Sequence, residues 1–316
     1  MSHTNYELSY QVNTVNWDGQ AITSLPEKSY LPTLKMLKSI GINEVMLSGY
    51  GDHEPAAFDM LEETKRVGDT LRSLGMKAAQ HHGLCAMYAP LGTSQDVAVN
   101  LLKRQVDYAV NLNADVGMFH SGWCTEWKKS SNIQIFEENV KEHGLDALIA
   151  VCAKNLRIAG DYAQERGVKL AIENCDRFEA MANIEIISRL IRAVDHPAVG
   201  VCLDSGHAHC CCNNLLKWID TLGNKIFTTH FHDNRGMRGE ALTDKKWISP
   251  SGIDEHLPPG FGTIPWIDVI QALHKANYHY TINFESGGWP DMDAKNGYLA
   301  AISFWRSLEY FAKARP

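Results

Sequence analysis

Residues 201–209 read VCLDSGHAH, and this stretch decides the fold. A short apolar run stops abruptly on a carboxylate, Asp204, with His207 and His209 just beyond it. A charge at the end of a buried strand costs several kcal/mol, on the order given by transfer data, unless it is paired, hydrogen-bonded or bound to a metal. The same layout recurs in MFHSGW at 118–123, LAIENC at 170–175, FTTHFHD at 227–233 and TINFESGG at 281–288. In a closed parallel barrel the strand ends converge on one face, where such proteins place their chemistry. An open doubly wound sheet gives a similar alternation of elements, so it is the placement of polar residues at the strand ends that selects the barrel.

Working outward, eight apolar runs read as strands: Leu8–Val12, Glu44–Ser48, Lys77–His81, Val116–His120, Lys169–Glu173, Gly200–Leu203, Ile226–His230 and Tyr280–Phe284. Between and after them, apolar residues recur at helical spacing in Tyr30–Ile40, Phe58–Leu74, Ala98–Leu112, Leu145–Arg166, Ile184–Val194, Leu215–Leu222, Ile267–Ala276 and Leu299–Ala312. In LKSIGINEV, LRSLGMKAA and AQERGVKLA a Gly separates helix from strand, where it can take the left-handed cap conformation. The expectation is an α/β fold, a single (β/α)8 TIM barrel spanning residues 1–316.

Composition narrows the function. With 316 residues, 45% of them hydrophobic, one large core is affordable. No signal-like start or apolar run long enough for a bilayer is apparent, and the eight cysteines follow no disulfide-scaffold spacing, so a cytoplasmic protein without membrane partners is expected. A net charge of −7 argues against a broad grip on nucleic acid, which relies on clustered Lys and Arg.

Glu173, Asp204, His230 and Glu285 each end an apolar run. Three carboxylates and one imidazole make a mostly oxygen donor set, suited to Mn²⁺, with Mg²⁺ or Co²⁺ as alternatives, and leave coordination positions open for substrate oxygens. These residues resemble the xylose-isomerase-like barrels, which include sugar phosphate isomerases, ketose 3-epimerases, inosose dehydratases and endonuclease IV. The resemblance runs from about Val168 to Glu285 through IEN with Glu173, LDSGH with Asp204 and His207, HFHD with His230, DEHLPPGFGTIPW with Asp254 and His256, and NFES with Glu285. It implies that Glu173, Asp204, His230 and Glu285 bind the metal and that Glu173 and Glu285 also exchange protons with the substrate. An α-proton removed next to a metal-polarised carbonyl leaves an enediolate, and its return gives isomerisation or epimerisation.

The segment 173–179, ENCDRFE, is similar to a ketose 3-epimerase segment whose last Glu contacts the sugar, which makes Glu179 a substrate contact; Asp176 stands where that group carries Asn. His207 resembles a substrate-binding His of epimerases and a metal ligand of endonuclease IV. His120, His256, Arg235, Trp123 and Trp289, placed after strand ends, complete the expected substrate-binding set. His81, His82, His120, Asp254 and His256 would extend the site toward the multi-metal arrangement of endonuclease IV. Cys210, Cys211 and Cys212 are adjacent in sequence and cannot all face one ion, so a core role is expected; Gly260-Phe-Gly262 is expected to be a tight turn.

The reading is therefore a metal-dependent sugar or keto-sugar isomerase or epimerase, acting on a small molecule, as a homo-oligomer or with a small second subunit. A lyase using the same enolisation (an inosose-type dehydratase or the barrel subunit of a 3-keto C-glycoside deglycosidase), a non-catalytic sugar-binding barrel and an abasic-DNA nuclease are the alternatives.

Overall fold

All eight expected runs form strands in the computed structural model, which describes residues 5–17, 21–49, 58–88, 95–122, 133–175, 180–212, 214–236 and 254–315. In chain order they are β1 (Leu8–Asn13), β4 (Glu44–Ser48), β5 (Lys77–Ala86), β6 (Val116–Gly122), β7 (Lys169–Glu173), β8 (Val199–Asp204), β9 (Ile226–His230) and β10 (Ile282–Phe284). They pair in parallel in the order β10-β1-β4-β5-β6-β7-β8-β9. A parallel bridge between Phe231 and Phe284 joins the two ends of this sheet, so the fold is a TIM barrel.

Helices α1 (Glu27–Ser39), α2 (Met60–Ser73), α3 (Gln95–Leu112), α5 (Leu145–Glu165), α6 (Ile184–Val194), α8 (Leu215–Leu222), α9 (Trp266–Lys275) and α10 (Ala294–Ala314) match the amphipathic stretches within a few residues. Their apolar stripes meet the outer face of the strands in one continuous core. Asp59, Asn183 and Asp293 accept backbone N–H bonds at the starts of α2, α6 and α10. At the other end of the helices, Gly41, Gly75 and Gly167 have φ of +89°, +61° and +69°, the left-handed caps expected from the IG, LG and RG steps.

Further elements were not expected. The hairpin of β2 (Val15–Trp17) and β3 (Ile22–Ser24) sits in the loop after β1. Helix α4 (Ile133–His143) precedes α5. Helix α7 (Ser205–Cys212) follows directly on β8 and is buried along its described length, Cys210 and Cys211 included. A helix buried on every side has no polar face, so no helical period marks it in the sequence. Among the described residues no helix is long and apolar enough to cross a membrane.

Strand alternation divides one pair that the sequence left together. His82 lies within reach of the strand-end carboxylates, whereas His81 is directed toward α3, with Nε2 2.7 Å from the Gln105 carbonyl oxygen and its ring edge-on to Tyr108. The extension of the site to His81 is thus corrected. The carbonyl only accepts, so Nε2 carries the proton. Complete burial pulls the His81 imidazole down to about 4 from 6.5, against the upward pull of that hydrogen bond. The fold favours the neutral ring, so this contribution to stability is fully present above pH 6.5 and is lost as pH falls toward 4. It amounts to about 3 kcal/mol. Urea unfolding between pH 4 and 7 is expected to show a shallower acid limb for His81→Gln, which keeps a donor for Gln105, than for the wild type.

Candidate metal centre

The four strand-end residues come together. One ligand atom from each of Glu173, Asp204, His230 and Glu285 lies within 4.8 Å of those from the other three. Parallel register brings them to the same end of the barrel: Asp204 is opposite His230, and Glu173 is opposite Cys202, two residues before Asp204 on the same face of β8. His230 Nδ1 is 3.1 Å from Glu173 Oε1 and 3.4 Å from Glu285 Oε2, so the two glutamates converge on one imidazole nitrogen. Asn174 fixes the neighbouring strand end. Its amide oxygen accepts from the Asp204 N–H at 2.7 Å and its amide nitrogen donates to the Asp204 carbonyl at 2.9 Å.

The centre is buried. Glu173, Asp204 and His230 are wholly buried, yet neither carboxylate oxygen of Glu173 and neither ring nitrogen of His230 makes a well-directed hydrogen bond among the described residues, although His120 and His230 stand 2.9 and 3.1 Å from Glu173. Buried polar atoms are nearly always satisfied, and atoms left so within ion-pair distance of one another fit a cation between them. The electrostatics agree. Burial alone would raise the Glu173 carboxyl, but His230 and His120 hold it well below the usual carboxylate range. Burial would likewise lower His230 and His207, whereas Glu173 and Glu285 around the first, and Asp204 and Asp254 around the second, raise both. The carboxylates thus favour the protonated forms of these imidazoles, and a divalent ion bound among them would compete with those protons.

Further histidines surround this core. His82 and His120 form a group with Glu173, His120 Nε2 standing 2.9 Å from Glu173 Oε2. On the other side His207, His232, Asp254 and His256 form a second group. His207 donates its backbone N–H to Asp204 Oδ1 at 2.6 Å and has Nε2 3.3 Å from Asp254 Oδ2. His256 lies 2.8 Å from Asp254 Oδ2 and, despite the opposing effect of burial, is raised to about 9 by Asp254 and Glu285.

His232 was missed by the sequence reading. Its Nε2 is 3.1 Å from Asp204, its ring stacks on His256 at 4.1 Å, and a Cβ on Gly206 would stand 1.9 Å from it. The available signal was its i+2 relation to His230, which puts both on one face of an extended segment. Asp233, next in sequence, belongs to the scaffold. Its carboxylate accepts from the N–H groups of Asn234, Gly260 and Ile264 and from Trp266 Nε1, pinning the GFG turn, where Gly260 has φ of +97°. Backbone bonds between Asp233 and Leu257 dock the arm that carries Asp254 and His256.

The remaining expected residues fare differently. Arg235 is half-exposed and ion-paired with Glu255. Trp289 packs against Phe261 and Phe304. Glu179 and Trp123 lie outside the described residues.

Comparison with known proteins bears on the fold. The family described as xylose isomerase-like TIM barrel matches residues 34–308. The protein y4fM of Sinorhizobium fredii is 27% identical over 190 residues, 60% of this chain and 52% of that protein. MJ1311 of Methanocaldococcus jannaschii is 24% identical over 194 residues, 60% of this chain and 57% of that protein. The matched region thus spans about half the length of these curated relatives. Among solved structures, D-psicose 3-epimerase from Clostridium cellulolyticum H10 superposes with a TM-score of 0.66 at 15% identity, covering 96% of this chain and 99% of that one. The 3-keto-D-glucoside 4-epimerase YcjR from E. coli gives 0.67 at 14%, covering 96% and 100%. A D-tagatose 3-epimerase-like protein gives 0.64 at 16%, covering 98% and 99%. At these identities the likeness is one of fold.

Proposed function

Because the chain belongs to the xylose isomerase-like TIM barrel family, we propose that it is a divalent-metal-dependent sugar isomerase or epimerase. Glu173, Asp204, His230 and Glu285 hold the ion, and Glu173 and Glu285 form the proton-transfer pair. The observation that carries this reading is the wholly buried Glu173–His230 pair, in contact without a well-directed hydrogen bond and with Glu285 facing the same imidazole nitrogen. The oxygen-rich donor set suits Mn²⁺, with Mg²⁺ and Co²⁺ as substitutes.

A bound divalent ion would polarise a substrate carbonyl and stabilise the charge that develops when the α-proton leaves. The chain's own groups do the rest. One glutamate takes the proton and the other returns one, Glu173 ending β7 and Glu285 following β10, which is not its neighbour in the sheet. His120 holds Glu173 from the side opposite the second cluster, through an oxygen different from the one facing His230. His207 and His256, both beside Asp254, are placed to donate to sugar hydroxyls. Glu179, Trp123, Trp289 and Arg235 are the further substrate contacts of this reading. Arg235 being neutralised by Glu255 favours an unphosphorylated sugar or keto-sugar.

The test is a screen of ketoses, inososes and 3-keto-glycosides with Mn²⁺ in D₂O. Deuterium on recovered sugar is the expected result. An unsaturated or cleaved product would instead identify the lyase, and sugar binding without any exchange a binding barrel. Equal exchange by the metal-stripped protein would sink the proposal.

A second reading, a multi-metal phosphoester hydrolase resembling endonuclease IV, is favoured by the two histidine groups flanking the central four residues. The net charge of −7 weighs against a DNA substrate. Nicking of abasic-site DNA by protein carrying several ions per chain would support it over the first.

A further inference from the structure

Each seam of the barrel but one is closed by a parallel ladder of three or more residue pairs, with a register shift in β4–β5 and in β8–β9. The exception lies between β9 and β10, where the backbone is joined at the bridge of Phe231 and Phe284, through Phe231 N–H to the Asn283 carbonyl at 2.8 Å and Glu285 N–H to the Phe231 carbonyl at 3.1 Å. Two of the four proposed ligands, His230 and Glu285, stand on opposite sides of this seam.

Side chains take over where the ladder is missing. The Asn283 backbone N–H donates to Thr229 Oγ1 at 3.0 Å, and its side-chain Nδ2 donates to Thr228 Oγ1 at 2.8 Å. The Thr228 hydroxyl donates in turn to Gln80 Oε1 at 2.6 Å, across the barrel on β5, while the Ser9 hydroxyl on β1 donates to Asn283 Oδ1. All five residues are buried to within 2%. Strand periodicity gives the chain its meaning. Gln80, Thr228 and Asn283 stand two residues before His82, His230 and Glu285, on the same inward face and one layer deeper. A fully buried strand interior normally takes Val or Ile, which pack better than amides.

We propose that Asn283, gripped by Thr228 and Thr229, is a positioning residue that closes the β9–β10 seam and so fixes the separation of His230 and Glu285. It acts through the two strands and touches neither substrate nor ion. Ligand distances must hold within about 0.2 Å for a divalent site, so a seam that slips costs affinity even while the barrel remains folded. This inference rests on the metal-site reading above.

The test compares Thr228→Val, which keeps the shape and removes the hydroxyl, with Thr228→Ser, which keeps the hydroxyl, and adds Asn283→Ala. Mn²⁺ binding is measured by titration calorimetry, the Mn²⁺ electron paramagnetic resonance line shape is recorded, and urea unfolding of the metal-free proteins is followed in parallel. Thr228→Val and Asn283→Ala are expected to weaken Mn²⁺ binding by about tenfold or more, the range seen when groups behind metal ligands are removed. The line shape should broaden in both, with Thr228→Ser restoring near-wild-type binding. Should Asn283→Ala not fold, the Thr228 pair carries the test. Lower stability with unchanged Mn²⁺ affinity in Thr228→Val would overturn the inference and leave the metal-site reading standing. A wild-type protein that binds no Mn²⁺ would overturn both.

Discussion

Replacing Glu173 by Gln is expected to cut solvent-proton exchange into a keto-sugar by about three orders of magnitude or more, the combined loss of a proton-transfer group and an anionic ligand. The substitution preserves volume and one acceptor oxygen, so packing is not the cause. It removes the charge that faces His230 at 3.1 Å, His120 at 2.9 Å and His207 at 3.3 Å. Bound metal, measured by mass spectrometry after dialysis against a trace of Mn²⁺, should fall with it. Glu285→Gln gives a sharper contrast. The Glu285 side chain is at the edge of the cluster, 11% exposed, and Glu173, Asp204 and His230 remain when its charge is gone. A two-base enzyme deprived of one base still exchanges the proton that the other handles. Glu285→Gln should therefore retain deuterium incorporation into one epimer of the substrate while forming no product. Normal turnover in either variant would remove the glutamate pair from the mechanism.

Trp305→Ala should destabilise the protein by about 3–5 kcal/mol, the usual cost of emptying a buried aromatic site. Trp305 lies on α10 with no solvent exposure, edge-on to Phe284 at 5.1 Å and to Trp266 at 5.5 Å, and tilted against Phe231 at 5.9 Å. Phe284 immediately precedes Glu285 and Phe231 immediately follows His230, so the cavity would open directly behind the β9–β10 seam. Urea denaturation should show a lower midpoint with an unchanged slope. Trp305→Phe, which fills most of the site, should lose only about 1–2 kcal/mol. Its indole N–H has no hydrogen-bond partner among the described residues, so the Phe variant gives up packing alone. A loss below about 1 kcal/mol in the Ala variant would mean that α10 is not part of the cooperative core.

Much of this was legible in one dimension. The barrel followed from eight apolar runs, and Glu173, Asp204, His230 and Glu285 from the abrupt change of polarity where four of those runs end. A strand is short, its ladder fixes register, and its last residue emerges at the rim, so sequence position translates directly into a place in the barrel. Local chemistry was equally readable at Gly41, Gly75 and Gly167, where the backbone conformation is a property of a few neighbouring residues.

Other features depend on which strands become neighbours. His81 and His82 are adjacent in sequence and indistinguishable in composition, yet one binds a helix carbonyl and the other faces Glu173. Helix α7 has no amphipathic period because tertiary packing buries it on every side. His232 acquires its place from Asp204 on one side and His256 on the other, residues 28 and 24 positions away. The sequence alone determined the barrel and the convergence of Glu173, Asp204, His230 and Glu285, since those depend on periodicity and on the cost of burying charge. Only the tertiary structure decided that Asn283, Thr228, Thr229 and Gln80 would meet across a seam with no ladder, because hydrogen bonds between distant strands depend on barrel closure.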